Sequence, residues 1–189
     1  MYNLFLGAFF MKDLGNVFIL GDSYSTFEGY IPEGYIHYYS RADREETDVN
    51  AVGQTWWKKL LDDTESNLIL NCSYSGTTVC NTGYDGEDYS DKSFVARLDK
   101  LIDGGFFKEN NIDTFFIFGG TNDTWSGAPV GELMYDGWSK ADLYNALPAF
   151  CYMLSRVKEN VSARVVVILN DILKDEITVG TLVRIWMSA

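Results

Sequence analysis

The sequence holds a single histidine, His37, and three cysteines, Cys72, Cys80 and Cys151. The cysteines form no CxxC pair, which argues against a disulfide framework, and with one histidine they leave too few ligands for a structural zinc site. Basic residues are also scarce: 15 Lys and Arg against 27 Asp and Glu give a formal charge of -12, and they are scattered along the chain. That balance repels phosphate backbones and anionic lipid, so neither nucleic acid nor a membrane surface is an expected partner. Residues 1–10 are apolar but carry no basic residue and are too short to span a bilayer. They read as a non-cleaved extension, with Met11 as an alternative start. The lack of a clear signal peptide leaves the compartment open, with a lean toward the cytoplasm. No internal repeat or low-complexity linker divides the chain. Its 189 residues are therefore expected to form one domain, with 1–15 an extension and 178–189 an atypical tail. No glycine-rich Lys-Ser/Thr loop is present. The acidic stretch Asp85-Gly86-Glu87-Asp88 with Asp91 lacks EF-hand spacing and reads as a solvated turn.

Four short apolar runs, at 17–20, 67–70, 114–118 and 164–169, alternate with longer stretches of helical periodicity. The alternation predicts βαβ units and a parallel sheet covered on both faces, a three-layer α/β/α sandwich. Val52, Trp56 and Leu60 predict a helix over 52–61. Phe94, Leu98, Leu101 and Ile102 predict another over 93–102, stopped by Gly104-Gly105. A third is expected to open at Ser139 as cap, with Asp142 three residues on, and to bury Leu143, Leu147, Phe150, Leu154 and Val157, bent or interrupted at Pro148.

Polar clusters follow each run: Gly21-Asp22-Ser23 after the first, Ser73-Tyr74-Ser75-Gly76-Thr77-Thr78 after the second, Gly119-Gly120-Thr121-Asn122-Asp123 after the third, and Asn170-Asp171 after the fourth. In open parallel sheets ligands bind outside the carboxyl ends of the strands, so the four clusters are expected on one rim. Acyl transfer through serine needs a nucleophile, oxyanion donors and a base. Ser23 is the candidate nucleophile. Its own N–H, the Gly76 N–H on a turn where a missing side chain would admit substrate, and the Asn122 amide are the candidate donors.

These three blocks, in order and each after a strand, resemble the SGNH (GDSL-like) hydrolase family over roughly residues 16–177. The resemblance implies a flavodoxin-like parallel sheet and serine esterase or lipase activity on small esters, often acetyl groups on carbohydrates. It implies Ser23 as nucleophile and Gly76 and Asn122 as oxyanion donors, with Gly21, Asp22, Gly120 and Asp123 as motif neighbours. No cofactor and no metal is implied. Tyr24, Phe27, Trp125 and the aromatic cluster of residues 30–39 offer walls for a sugar, although local packing is the commoner role of such residues.

The family's base lies in an Asp-x-x-His block after a fifth strand, and this sequence contains none. The last strand and helix are therefore expected to be truncated, catalysis impaired, and the exposed flank prone to self-association. His37, fourteen residues after Ser23, is the sole candidate for a substitute base; a solvent-facing or tyrosine-packed imidazole is the favoured alternative. Two other functions fit parts of the sequence. One is a non-catalytic ligand-binding scaffold that keeps the pocket without the base. The other is a Mg²⁺-dependent phosphohydrolase using the strand-end aspartates Asp22, Asp123 and Asp171.

Overall fold

A computed structural model describes residues 13–168. The expectations placed on residues 1–12 and 169–189, including Asn170, Asp171 and the tail, lie outside the described residues. Four strands, β1 (Asn16–Gly21), β2 (Asn67–Ser73), β3 (Thr114–Phe118) and β4 (Arg164–Ile168), form a wholly parallel sheet in the order β2-β1-β3-β4. The flavodoxin-like order follows from right-handed crossovers: the step from β1 to β2 runs one way across the sheet and places its helix on one face, and the steps from β2 to β3 and from β3 to β4 run the other way and place theirs on the opposite face.

Side chains alternate across the strands, and each face finds its own partner. Val17, Ile19 and Phe116 pack with Trp57 and Leu61 of α1 (Trp56–Thr64). Phe18, Leu20, Phe115 and Ile117 pack on the other face with Phe94, Val95 and Leu98 of α2 (Phe94–Asp103) and with Phe150, Met153, Leu154 and Val157 of α5 (Ala146–Asn160). Two short helices, α3 (Phe106–Glu109) and α4 (Thr121–Trp125), lie between α2 and α5 in the chain. Phe106 and Phe107 of α3 close over Phe18 at ring-centroid distances of 5.9 and 5.2 Å.

Helix starts differ from the expectation where a side chain or a distant carbonyl takes over the first-turn donors. Residues 52–54 form a single 3₁₀ turn, and α1 begins at Trp56 because Thr55 caps it, its hydroxyl accepting from Lys58 N at 3.3 Å. Ser93 caps α2 in the same way, through Ala96 N at 3.1 Å. The expected long helix from Ser139 does not form. Ser139 instead donates its N–H and hydroxyl to Asp142 Oδ2, both at 2.7 Å, closing a turn that leads into a 3₁₀ turn at Asp142–Tyr144. The helix proper starts at Ala146, where Ala146 N and Leu147 N donate to Pro129 O and Val130 O at 2.8 Å. Pro148, the third residue of α5, has no N–H to satisfy and sits in the one turn where proline is tolerated, so it neither bends nor breaks the helix.

Leu98 is fully buried between α2 and the sheet. Leu98→Ala is expected to lower the unfolding free energy in urea by about 2–5 kcal/mol, whereas Lys100→Ala on the exposed side of α2 should change it by no more than about 0.5 kcal/mol.

Candidate active site

With β1 between β2 and β3, the polar clusters that follow those strands lie side by side, the one containing Ser23 in the middle. Two backbone bonds extend the sheet past its last ladder pairs: Tyr74 N donates to Gly21 O at 3.0 Å, and Asp22 N to Phe118 O at 3.2 Å. The chain then turns sharply. Residues Ser23–Ser25 form one 3₁₀ turn capped by Asp22, whose Oδ1 accepts from Tyr24 N at 3.2 Å. Thr26 donates its N–H and its hydroxyl to Ser23 O, at 3.1 and 2.7 Å. The backbone of Ser23 is thus held on both sides, while its half-buried hydroxyl makes no hydrogen bond among the described residues. Gly21 is required for close approach: a Cβ there would stand 2.5 Å from Ser73 Oγ and 2.7 Å from the Ser25 side chain.

After β2, Tyr74–Thr77 makes a turn in which Gly76 has φ 78°. A Cβ on Gly76 would meet no atom of the protein within 4 Å, so what requires glycine within the fold is its left-handed backbone, and the space beside it is open. The Gly76 N–H is left unbonded among the described residues. Asn122, on the first turn of α4, is buried; its Nδ2 donates to Thr77 O at 2.9 Å, which leaves the second amide hydrogen unused among the described residues, and its Oδ1 accepts from Tyr84 Oη at 2.7 Å. Asp123 is buried as well, and its two oxygens accept from Val79 N (2.8 Å) and Cys80 N (3.1 Å). The cluster after β3 therefore clamps the backbone that follows Gly76. Gly120 supplies the left-handed turn (φ 103°) that opens α4, and Gly119 admits the Phe94 ring, which a Cβ would meet at 2.4 Å.

A charged residue that the sequence reading did not single out lies beneath this rim. Arg97 is buried, stacks 4.6 Å over the Phe94 ring, and donates to Gly21 O (3.2 Å), Thr77 Oγ1 (3.0 Å), Lys92 O (3.0 Å) and Cys72 O. The signal was present in the spacing: Arg97 falls three residues after Phe94 and one before Leu98, on the apolar face of α2. Burial lowers the pKa of its guanidinium, and the neighbouring Cys72, Tyr35 and Asp22 oppose that shift. Asp22 is also fully buried, and its Oδ2 has no hydrogen-bond partner among the described residues. Its pKa rises from 3.8 to about 7, chiefly through desolvation, with Asp123 adding to the rise while the Tyr24 N–H and Arg97 counter it. Burial raises the pKa of Asp123 too, against the two backbone donors it accepts.

The loop of residues 30–39 does run beside the rim: Ser75 N donates to Ile36 O at 2.9 Å, Tyr38 N to Thr26 Oγ1 at 2.8 Å, and Tyr35 stacks on Tyr74 at 4.6 Å. His37 nonetheless faces solvent, and no hydrogen bond joins it to Ser23. Phe27 is core, packed against Tyr30 and Trp57, and cannot line a ligand wall. Trp125 is 54% exposed, and Tyr24 is half-buried between Phe118 and Tyr38. The strand-end aspartates are poorly arranged for Mg²⁺, because both Asp123 oxygens are committed to backbone donors. Among the described residues no group of three or more His, Cys, Asp or Glu side chains converges as a cation site.

A serine on a strand-to-helix elbow, beside an unbonded glycine N–H and a buried asparagine amide, is an arrangement suited to acyl transfer. The sequence profile of the GDSL-like Lipase/Acylhydrolase family matches residues 15–184. The chain belongs to this family. It is similar to two solved proteins described as GDSL-like lipases. One, from Bacteroides ovatus, is 44% identical with a TM-score of 0.76, over 84% of this chain and 74% of that one. The other, from Bacteroides uniformis, is 44% identical with a TM-score of 0.77, over 85% and 73%. A Lactobacillus plantarum protein, 16% identical with a TM-score of 0.53 over 84% of this chain and 57% of that one, shares the fold alone. Comparison with curated proteins returns no match. As a GDSL-like hydrolase the chain is an ester hydrolase by family, with small-molecule esters as the class of substrate.

The raised Asp22 pKa sets a pH dependence with a definite sign. Between pH 3.8 and about 7 the folded protein keeps a proton on Asp22 that the unfolded chain has released. Stability is therefore lost as pH rises through that window, by on the order of 4 kcal/mol. Asp22→Asn keeps the neutral shape and removes the titration. In urea unfolding between about pH 5 and 8 the parent should lose stability relative to this variant, and parallel profiles would show that Asp22 does not hold the proton.

Proposed function

We propose that the chain folds as one α/β domain whose site hydrolyses small acyl esters through Ser23. Ser23 Oγ attacks the ester carbonyl and gives up its proton to solvent water. The Ser23 N–H, the Gly76 N–H and the free hydrogen of Asn122 Nδ2 receive the oxyanion, and collapse breaks the bond to the leaving alkoxide, which takes up a proton. Water then attacks the acyl-serine and releases the acid. The observation that carries this reading is the Asn122 amide, buried and held at both ends with one donor hydrogen unspent beside the unbonded Gly76 N–H. The exposed Trp125 and half-buried Tyr24 near the rim support an acylated carbohydrate as the substrate.

The proton of Ser23 is the weak point. The only histidine in the sequence faces solvent, so turnover by these 189 residues is proposed to be impaired, resting on binding and on the oxyanion donors. The same observation favours a second reading, a scaffold that binds the ester and does not turn it over.

Hydrolysis of a p-nitrophenyl acetate series by the parent, Ser23→Ala and His37→Ala, with fluorophosphonate labelling read by mass spectrometry, separates the two. A weak esterase is expected to label at Ser23, to lose turnover in Ser23→Ala and to keep it in His37→Ala. Loss in both variants would instead make His37 the base. Parent turnover no faster than Ser23→Ala, with no labelling, would leave the binding scaffold. Asn122→Ala is expected to lower kcat about 10²–10³-fold.

A further inference from the structure

The acidic turn at residues 85–88 reads from the sequence as a solvated connection, yet it carries a residue that reaches the site. Tyr84 opens the 3₁₀ turn Tyr84–Gly86, and its ring is half-buried while Asp85 to Asp88 are exposed. The loop is closed at its base by Gly83 N donating to Glu87 O at 2.8 Å. It is fastened to the start of α5 by Tyr144, whose hydroxyl donates to Asp88 Oδ1 at 2.9 Å and whose carbonyl accepts from Thr82 Oγ1 at 2.7 Å. Gly83 lies against the Tyr89 ring so closely that a Cβ would stand 2.2 Å from it. The placement of the Tyr84 hydroxyl is therefore built, by a loop that the proposed reaction does not otherwise use.

We propose that Tyr84 is a positioning residue for the oxyanion donor Asn122: its hydroxyl, 2.7 Å from Asn122 Oδ1, locks and polarises the amide so that the spare Nδ2 hydrogen points to the reacting oxygen. The inference rests on the reading of Asn122 as an oxyanion donor. An amide is nearly symmetric in shape, and rotation by half a turn would replace its N–H donors with a carbonyl oxygen. Two contacts oppose that rotation. Thr77 O accepts from Nδ2 at 2.9 Å and would face Oδ1 after a flip, and Tyr84 holds Oδ1 in place. A donor on Oδ1 also withdraws electron density from the amide nitrogen and strengthens its N–H as a donor, as chains of hydrogen bonds do in low-dielectric surroundings. Burial, with Tyr89, Asp22 and Asp123 nearby, raises the pKa of the Tyr84 phenol, so it remains a donor at any ordinary assay pH.

The test is a double-mutant cycle with Tyr84→Phe and Asn122→Ala on p-nitrophenyl acetate, together with nitrogen-15 NMR of the Asn122 side-chain amide, assigned by its loss in Asn122→Ala. Tyr84→Phe is expected to lower kcat about tenfold with KM unchanged, and to have no further effect once Asn122 is alanine. In the spectrum of Tyr84→Phe the Asn122 amide resonances should move and broaden. Additive losses in the cycle, or a change in KM alone, would overturn the proposal in favour of a packing or substrate-binding role. If the parent shows no Ser23-dependent hydrolysis, the esterase reading fails separately. The spectrum then decides: shifted and broadened resonances support positioning by Tyr84, and unmoved ones overturn it.

Discussion

A buried guanidinium at the carboxyl ends of two strands organises the rim. The Arg97 guanidinium donates to carbonyls and a hydroxyl: Gly21 O at the end of β1, Cys72 O in β2, Thr77 Oγ1 in the turn beyond, and Lys92 O before its own helix. Taking a cation out of water is costly unless its donors are satisfied, and here the strand-end carbonyls supply the acceptors. In return, groups from three sequence-distant segments are tied to one planar fork of donors. Arg97 and Asp22 oppose one another's desolvation at the same place, so the elbow that carries Ser23 is flanked by a buried cation and by a carboxyl drawn toward its neutral form.

A second set of constraints runs between the turn after β2 and the start of α4. Asp123 holds the N–H groups of Val79 and Cys80, and Asn122 holds the carbonyl of Thr77. Two adjacent residues of a five-residue helix thus determine the shape of a loop more than forty positions earlier. The proposed oxyanion donors are in this chain less a set of independent groups than one hydrogen-bonded unit. Tyr84 belongs to the same unit, reaching Asn122 from the opposite side.

Much of this was legible in the residues. Alternating apolar runs gave the four strands, because a parallel sheet buried on both faces demands continuous apolar sequence. The three polar blocks followed, because ligand sites collect where such strands end. Less legible were the helix starts. Ser139 looked like a cap but closes a turn on Asp142, and α5 begins where the carbonyls of Pro129 and Val130 satisfy its first donors, an arrangement no local pattern reports. His37 is expected in a loop beside the rim and lies there, yet it is exposed, and the bonds that dock the loop, Ser75 N to Ile36 O and Tyr38 N to Thr26 Oγ1, are made by its two neighbours.

By itself the sequence determined the family, the class of fold and the order of the motifs, since periodicity and the residues at strand ends are local properties of a chain. Only the tertiary structure decided what holds the motifs to one another. Arg97 on an apolar helix face, Tyr84 on an acidic turn and the committed oxygens of Asp123 have roles that depend on which distant backbone groups lie within hydrogen-bond reach. That proximity is set by the strand order β2-β1-β3 and the packing of α2 and α5, and it is absent from any single stretch of sequence.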